Sequence, residues 1–394
     1  MFKHLFKLMW NKRKQNFLLL SEILVSFMVI FALFSFLVFY FQNYRKPMGL
    51  NDERVWTVTF DSRVVPKNTD SLNLFYNNLQ KSLKAMPQIK EMAYTSMNIP
   101  FSNSNMSTSL HYNKKEIQYV NRYMAGVTYP NVLGMKMLEG RWFEPQDLVA
   151  KEKAIVINET LKTDVFAGQN AVGKYFNDYE NKNRFKVIGV VQDVKVAGDY
   201  WPSGRAMYNQ IDTGEIRYNH VILMKVNESA DANFESKLYK FLGRTFNNAS
   251  VEITYLKDLR DAKNEVTQIP MIIFIIISCF LIINVALGLF GVLWYNINKR
   301  KGEIGLRRAI GASGNSVAKQ LVTESLILAT LSIMVGSFFA LQFPLLNVFD
   351  IPASVYLFAL LFAILFIYLL VISCSLYPGK QAAAIQPATA LHEE

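Results

Sequence analysis

Four apolar segments dominate this sequence and constrain its fold more than any other feature. Each is about 25 residues long, enough for an α-helix to cross a hydrocarbon layer about 30 Å thick. They are Phe17–Phe41, Pro270–Tyr295, Val317–Leu341 and Val355–Tyr377. A long polar stretch, residues 42–268, separates the first from the second. The sequence therefore predicts a membrane protein with four transmembrane α-helices, one N-terminal and three C-terminal, and a large domain inserted between spans one and two.

The first span has a basic flank, which secretory signal peptides also have. Its apolar run continues to Phe41, well beyond the roughly 7 to 15 residues of a signal peptide's apolar core, and no small-residue cleavage site follows. We therefore predict an uncleaved membrane anchor.

The basic residues predict the orientation of the spans. Lysine and arginine are concentrated in the N-terminus and in the connector between spans two and three, residues 296–320, and cytoplasmic loops carry such an excess. We therefore predict cytoplasmic N- and C-termini and an extracytoplasmic domain at residues 42–268. Because the net charge of +11 is concentrated beside spans, it indicates contact with membrane lipids, and no nucleic-acid partner is predicted.

The inserted stretch has an α/β pattern, in which strand-like apolar runs alternate with helical stretches. The strand-like runs are Val55–Phe60, Ala154–Ile157, Phe185–Val191 and Val221–Val226, and the helical stretches lie near Asp70–Ala85 and Asp231–Thr245. Asn158 is placed to cap a helix that follows its strand. Gly189, inside an apolar run, predicts a bulge or a close approach of two backbones.

One loop partly matches a phosphate-binding motif. Residues 168–174 fit the glycine-rich pattern, but Tyr175 stands where the motif needs a small hydroxyl for magnesium. Neither a buried strand before the loop nor a helix after it is predicted. We interpret the segment as a surface turn.

No catalytic constellation or metal-binding pattern is found in the sequence. The histidines, His4, His111, His220 and His392, are isolated from one another and from cysteine or acidic residues at ligand spacing. The two cysteines, Cys279 and Cys374, fall inside predicted spans and are interpreted as small apolar core residues. The chain is therefore not predicted to be an enzyme or to bind a cofactor.

The connector between spans two and three is the most informative segment. A short helix is predicted at about residues 299–311, because Glu303 and Arg307 have the favourable i to i+4 order and Ile304, Leu306, Ala309 and Ile310 supply apolar surface. Gly311 can end this helix and Ser313 can begin the next one. Two interpretations remain open: a basic loop lying on anionic headgroups, or a docking helix for a cytoplasmic protein.

Three polar residues lie inside predicted spans: Glu22, Asn284 and Glu324. Such residues are costly in lipid, so they are expected to face protein or an interface. Glu22 is near enough to the end of span one to reach the headgroups. We predict that Glu324 bonds to the connector or to a neighbouring span. Gly288, Gly291 and Gly336 suit a close approach of helices.

The connector resembles the signature of the FtsX-like permease family, an Arg-Lys-x-Glu-Ile-Gly-x-Arg-Arg-Ala-x-Gly-Ala segment before the third span. Residues 156–161, 173–174 and 187–194 resemble the MacB-type periplasmic core domain, and residues 377–391 resemble the family's terminal motif. The chain is thus similar to ABC-transporter permeases of the MacB/FtsX-like family. The resemblance implies three parts.

These parts are a cytoplasmic N-terminus with the first span (1–41), a periplasmic core domain (42–268) and an FtsX-like permease domain (269–394).

The resemblance also implies how the chain works. Two permease chains, identical or different, would assemble with two ATPase subunits in a bacterial cytoplasmic (inner) membrane, and the ATPases would bind ATP and magnesium. A separate ATPase subunit is expected, and the resemblance leaves open a periplasmic adaptor or an outer-membrane partner. Carried over by position, the ATPase contact would be Glu303, Ile304, Gly305, Arg307, Arg308, Gly311 and Ala312. Residues 314–316 lack the basic side chains frequent in the family.

Several functions remain open at this point. The favoured one is mechanotransmission, in which ATP hydrolysis moves the extracytoplasmic domain to export drugs or peptides or to release lipoproteins. The alternative is a regulatory or sensory FtsX-like protein that controls an extracytoplasmic partner such as a cell-wall hydrolase. A membrane-anchored enzyme is a third hypothesis.

Overall fold

The structure is a computed structural model that describes residues 13–61, 65–178, 180, 183–212, 221–247 and 250–384. It divides into two compact units. One, which we call the membrane unit, consists of Met1–Gln42 and Gln268–Glu394. The other, which we call the inserted domain, is Asn43–Thr267.

The helices belong to both units. In chain order they are α1 (Arg13–Tyr44), α2 (Thr69–Lys84), α3 (Tyr129–Leu133), α4 (Glu159–Phe166), α5 (Ala232–Thr245), α6 (Leu256–Lys299), α7 (Lys301–Ala309), α8 (Gly314–Ala340), α9 (Gln342–Leu345) and α10 (Ala353–Ala384). Helices α1, α6, α8 and α10 are long and apolar enough to cross a membrane, and each covers one predicted span. Helix α6 begins well before its predicted apolar start at Pro270.

The main apolar core of the membrane unit is formed mainly by α1, α8 and α10. Leu19, Ile23, Phe27 and Ile30 recur every three or four residues along α1, which places them on one helix face that packs into this core. Helix α6 differs, because only 6% of its most apolar window is buried, against 33–39% for the other three. Most of the α6 surface is therefore open within this single chain.

Two close helix contacts depend on glycine. A Cβ atom at Gly288 of α6 would overlap the Glu22 carboxylate of α1, and one at Gly336 of α8 would overlap the Phe27 ring. A Cβ atom at Gly291 would meet nothing within 4 Å. The predicted close approach is thus confirmed at Gly288 and Gly336, and in this chain Gly291 makes no such contact.

The inserted domain contains an eleven-stranded sheet. Its strands are β1 (Val55–Phe60), β2 (Ile89–Thr95), β3 (Ser107–Tyr112), β4 (Lys115–Ala125), β5 (Met137–Gly140), β6 (Lys153–Asn158), β7 (Tyr175–Asp178), β8 (Arg184–Val191), β9 (Ala206–Gln210), β10 (Val221–Val226) and β11 (Val251–Tyr255). The order is β11-β1-β10-β2-β4-β3-β7-β8-β6-β9, with β5 on β8 and an additional pairing of β9 with β4.

The first part of the sheet, β11-β1-β10-β2, is covered by helices α2 and α5. Alternate residues of β1 point to opposite faces, so that Trp56 and Val58 pack under the two helices while Val55 belongs to a second core. Leu72 and Leu238 are fully buried where the helices meet the strands. Both faces of β1 and β10 are thus covered, which explains the nearly continuous apolar sequence of β10.

The second part of the sheet closes on itself, because β9 pairs with both β6 and β4. Here Asn158 caps α4 as predicted, accepting a hydrogen bond from the backbone N–H of Leu161 at 3.1 Å. The prediction for Gly189 is also confirmed: a Cβ atom there would overlap the carbonyl oxygen of Arg141, and the β6–β8 register shifts beside it.

Each strand and helix predicted in this domain is present within one residue of its predicted ends. The remaining strands were not predicted.

Candidate functional site

The connector between α6 and α8 contains helix α7, Lys301–Ala309. This helix is shorter than the predicted 299–311, because α6 continues to Lys299. The chain leaves the helix at Gly311, just beyond the last helical residue Ala309 and the C-cap Ile310, and the φ of Gly311, +103°, is a left-handed conformation that glycine adopts without strain. Ser313 then caps α8 by accepting a hydrogen bond from the Ser316 N–H at 3.3 Å. The predicted roles of Gly311 and Ser313 are confirmed.

Five polar side chains join the connector to α8 in a closed ring, which we call the connector ring. The Arg300 guanidinium donates to Glu303 Oε2 at 3.1 Å and to Glu324 Oε2 at 3.0 Å. Glu324 Oε1 accepts from Gln320 Nε2 at 3.0 Å. Arg307 donates to Gln320 Oε1 at 3.0 Å and to Glu303 Oε1 at 2.6 Å, which closes the ring.

The connector ring is partly shielded from water. The side chains of Arg300 and Glu324 are only 16% and 21% exposed, whereas the Glu303–Arg307 pair is 44% and 41% exposed. Hydrogen bonds to charged groups contribute about 1.5–3 kcal/mol each when shielded, and exposed ion pairs contribute less. The Arg300–Glu324 bond is therefore the strongest attachment of the connector to α8, and the contact predicted for Glu324 is present.

The inner side of the connector is apolar and packed. Ile304 lies in a small core with Ile297, Val317, Leu321 and Ala382, which brings together α6, α7, α8 and the end of α10. Arg308 also donates to the carbonyl oxygen of Ala383 at the end of α10. The connector thus contacts both α8 and α10.

The outer side of the connector carries two exposed apolar residues. Leu306 is 51% exposed and Ile310 is 79% exposed. They are four residues apart, which places them on the same side of the turn at the end of α7. Together they form an apolar surface, which we call the connector knob.

The predicted ATPase-contact residues fall into two groups. Glu303 and Gly311 are exposed, whereas Arg307, Arg308 and Ala312 are half-buried and Ile304 and Gly305 are buried. The buried pair packs inside the chain itself. Leu306 and Ile310 were not predicted as contacts, although their apolar type beside a basic segment was a usable signal.

The polar residues of the spans lie in different surroundings. Glu22 is half-buried, and its carboxylate lies against Gly288 of α6, so protein surrounds part of it. Asn284 is exposed in this chain and donates to the Phe280 carbonyl oxygen of its own helix at 2.8 Å. Cys374 is half-buried, but Cys279 is exposed on α6, so its assignment to a core within this chain was wrong.

The other candidate motifs lead to no reaction centre. The loop 168–174 follows α4 and precedes β7, which is the reverse of the strand-then-helix order of a phosphate-binding loop. Among the described residues no three histidine, cysteine or acidic side chains could together hold a metal ion. His111 Nδ1 lies 3.2 Å from the Asp178 carbonyl oxygen, and His4, His220 and His392 lie outside the described residues.

Comparison with known proteins matches both units to characterised families. Residues 17–238, more than half of the chain, match the MacB-like periplasmic core domain, and residues 275–387 match the FtsX-like permease C-terminal family. The chain belongs to the MacB/FtsX-like family of ABC-transporter permeases. The permease is thus a multi-pass membrane protein with a periplasmic-type domain between its first and second spans.

Similar proteins include two from the curated set. A macrolide export ATP-binding/permease protein MacB of Aggregatibacter actinomycetemcomitans is 25% identical over 241 residues, 59% of the permease and 37% of that protein. The MacB of Mannheimia succiniciproducens is 24% identical over 308 residues, 74% of the permease and 46% of that protein. The permease spans between about a third and a half of the length of the curated relatives it matches.

The periplasmic region of MacB from Actinobacillus actinomycetemcomitans is a similar solved structure. It shares 19% sequence identity, with a TM-score of 0.40, and the match covers 56% of the permease and 97% of that chain.

Proposed function

We propose that this permease works with a separate cytoplasmic ATPase subunit and converts ATP hydrolysis into movement of its inserted domain. The observation that carries this proposal is the connector, which is bonded to α8 through Arg300 and Glu324 and exposes an apolar knob outward. A helix that is held on its inner side and apolar on its outer side suits a partner that pushes on it.

The proposed assembly follows the same reasoning. The connector and both termini lie in the cytoplasm, and the inserted domain lies outside the bacterial cytoplasmic membrane. ATP and magnesium are bound by the ATPase, and the permease itself is non-catalytic. A second permease chain, identical or different, covers the open surface of α6, where Asn284 and Cys279 are exposed.

The transported substrate is proposed by analogy alone. The relatives are named macrolide export ATP-binding/permease proteins. By analogy, the proposed cargo of this permease is a drug, a peptide or a lipoprotein. A periplasmic adaptor or an outer-membrane partner completes the pathway in this proposal.

Opening the connector ring tests the proposed coupling. In the variant Glu303→Gln with Arg307→Gln, we expect stimulation of the bound ATPase to fall about 10-fold, the rate equivalent of about 1.4 kcal/mol. The reason is that both residues link α7 to Gln320 and Arg300 of the ring. Membrane insertion is expected to be unchanged. The measurement is ATP hydrolysis by the co-purified complex in nanodiscs.

A matched control is available in the inserted domain. Arg205 and Asp164 form an ion pair of similar exposure with a 2.7 Å separation, so Arg205→Gln with Asp164→Asn should leave stimulation unchanged. Full stimulation in the Glu303/Arg307 variant would remove the coupling role of α7. Failure of any ABC ATPase to co-purify with the parent permease would contradict the proposed function itself.

A further inference from the structure

One loop of the inserted domain contacts both the segment through which the chain enters that domain and the segment through which it leaves. This loop, Lys195–Trp201, lies between β8 and β9, and we call it the 195–201 loop. The chain enters the domain at Asn43, at the end of α1, and leaves it through α6, which begins at Leu256. All the contacts below lie within the residues of the inserted domain.

Lys195 holds the end of α1. It is only 3% exposed, and its ammonium donates to the carbonyl oxygens of Asn43, of Lys46 at 2.6 Å and of Asp199 at 3.2 Å. An ammonium has three donors, so these bonds use all of them. The last carbonyls of a helix have no partner within it, and a cation there also complements the helix dipole. Lys195 therefore caps α1 from a distant part of the sequence.

Asp199 holds the beginning of α6. Its carboxylate accepts from Arg260 Nε at 2.9 Å and from Asn264 Nδ2 at 3.1 Å. Its backbone N–H donates to Asn264 Oδ1 at 2.9 Å. Arg260 and Asn264 are four residues apart on one helix face. The loop is thus fixed to two successive turns of α6.

The next two residues of the loop also contact one helix each: Tyr200 contacts α1 and Trp201 contacts α6. Tyr200 stacks on Tyr44, with ring centroids 5.6 Å apart, and Trp201 Nε1 donates to Thr267 Oγ1 at 3.0 Å. Gly198 has a φ of +97°, and a Cβ atom there would crowd Asn264 Oδ1. Within seven residues the loop therefore contacts the end of α1 twice and α6 at several points.

The same loop is attached to the body of the inserted domain. The carbonyl oxygen of Val196 accepts from the Phe101 N–H at 2.8 Å, and the Lys195 N–H donates to the Met48 carbonyl oxygen at 3.0 Å. Val194, directly before the loop, and Val196 pack in the apolar core beside β1 and β10. A force on the end of α1 would therefore reach this core through the loop, whereas α6 also contacts the core directly through Leu256 and Leu259.

We propose that the 195–201 loop is the joint that carries movement of α1 and α6 into the inserted domain, with Lys195 and Asp199 as its positioning residues. This inference rests on the proposed function. Without these bonds, the end of α1 would be joined to the domain chiefly through the covalent chain, so its displacement would be lost in the segment after α1. Helix α6 would keep only its direct contacts, such as Arg260 with Asp52 and Lys263 with Asn103.

The test uses Lys195→Met and Asp199→Asn in the full permease, reconstituted with its ATPase in nanodiscs. Cys279 and Cys374 are replaced by serine, and spin labels are placed at the exposed residues Lys114 and Asn315. Pulsed electron–electron double resonance then measures the distance between the two spin labels with and without ATP. Both variants are expected to reduce the ATP-dependent distance change to less than about half of the parent value, while ATPase stimulation stays within about two-fold.

Lys186→Met is the matched control, because Lys186 is 43% exposed and pairs only loosely with Glu152 at 3.7 Å; it should keep the full distance change. If Lys195→Met does not fold, the isosteric Asp199→Asn carries the test, with its unfolding midpoint as the check. A full distance change in the folded variants would overturn the joint while leaving the proposed function intact. If the unmodified permease shows no ATP-dependent change, the proposed function and the joint both fail.

Discussion

Replacing both Leu306 and Ile310 by glutamate is expected to weaken binding of the ATPase to the permease about 100-fold. The two side chains form the connector knob and are 51% and 79% exposed. Burying a leucine or isoleucine side chain contributes about 1.5–3 kcal/mol, and about 2.8 kcal/mol corresponds to a factor of 100 in affinity. The measurement is the dissociation constant of the detergent-purified permease for its purified ATPase.

The matched control has the same chemistry at another surface. Leu345 and Leu346 are 82% and 72% exposed in the segment between α8 and α10. Under the proposed orientation they lie on the opposite side of the membrane from the ATPase. Leu345→Glu with Leu346→Glu should therefore leave the affinity unchanged. Equal losses in the two double variants would mean that the knob is not the docking surface.

Removing the Glu324 carboxylate is expected to have the second largest effect. Glu324→Ala should lower the free energy of unfolding by about 1–3 kcal/mol, because Arg300 keeps its charge in a largely shielded position and loses one of its partners. Arg300→Met with Glu324→Met should restore part of this loss, since replacing both partners leaves no unpaired charge. The measurement is unfolding of the purified permease, analysed as a double-mutant cycle.

The variant Glu324→Gln distinguishes a role of Glu324 in the stability of the permease from a role in stimulating the ATPase. Glu324→Gln keeps the shape of the side chain but removes its charge and replaces one accepting oxygen by an NH2 group, so it weakens the bonds from Arg300 and Gln320 without creating a cavity. We expect reduced ATPase stimulation in this variant with assembly retained. Additive effects in the double-mutant cycle, together with normal assembly and transport in Glu324→Gln, would show that the connector ring has no role in coupling.

The membrane spans and some strands were predictable because a segment surrounded by lipid or by protein core is apolar on every side, which leaves a direct trace in sequence. Strand β10 reads Val-Ile-Leu-Met-Lys-Val, and its residues are packed on both faces of the sheet. Strands β3 and β4 were missed, because polar residues predominate in β3 and interrupt the apolar residues along most of β4, so neither strand shows the long apolar run of a fully buried strand. The polar first part of α6, from Leu256, was missed since the apolar pattern begins only at Pro270.

The connector was found by its local signals, and Glu324 was predicted to bond to it or to a neighbouring span, but Arg300 was not predicted as the residue that Glu324 contacts. Gly311 and Ser313 predict where α7 ends and α8 begins, and Glu303 and Arg307 are near enough in sequence to be paired. The Arg300–Glu324 bond joins residues 24 positions apart, and it exists because the turn folds α7 back along α8. A contact that depends on the angle of a turn leaves no periodic pattern in sequence.

The contacts of the 195–201 loop were even less predictable from the sequence. Lys195 bonds to the carbonyl oxygen of Asn43, which is 152 residues away. Its three acceptors are backbone oxygens, which every residue carries, so no partner residue type marks the interaction in the sequence. Only the folded sheet brings this loop to the end of α1.

The coupling of this permease to a cytoplasmic ATPase depends on the side of the membrane on which the connector lies. In a permease with Cys279 and Cys374 replaced, single cysteines are introduced at Ser313 in the connector and at Asn103 in the inserted domain, both at solvent-accessible positions. A membrane-impermeant maleimide is applied to intact and to lysed spheroplasts. We expect Asn103→Cys to be labelled in both and Ser313→Cys to be labelled only after lysis. Labelling of Ser313→Cys in intact spheroplasts would contradict the proposed coupling, because a cytoplasmic ATPase could not reach a connector on the outside.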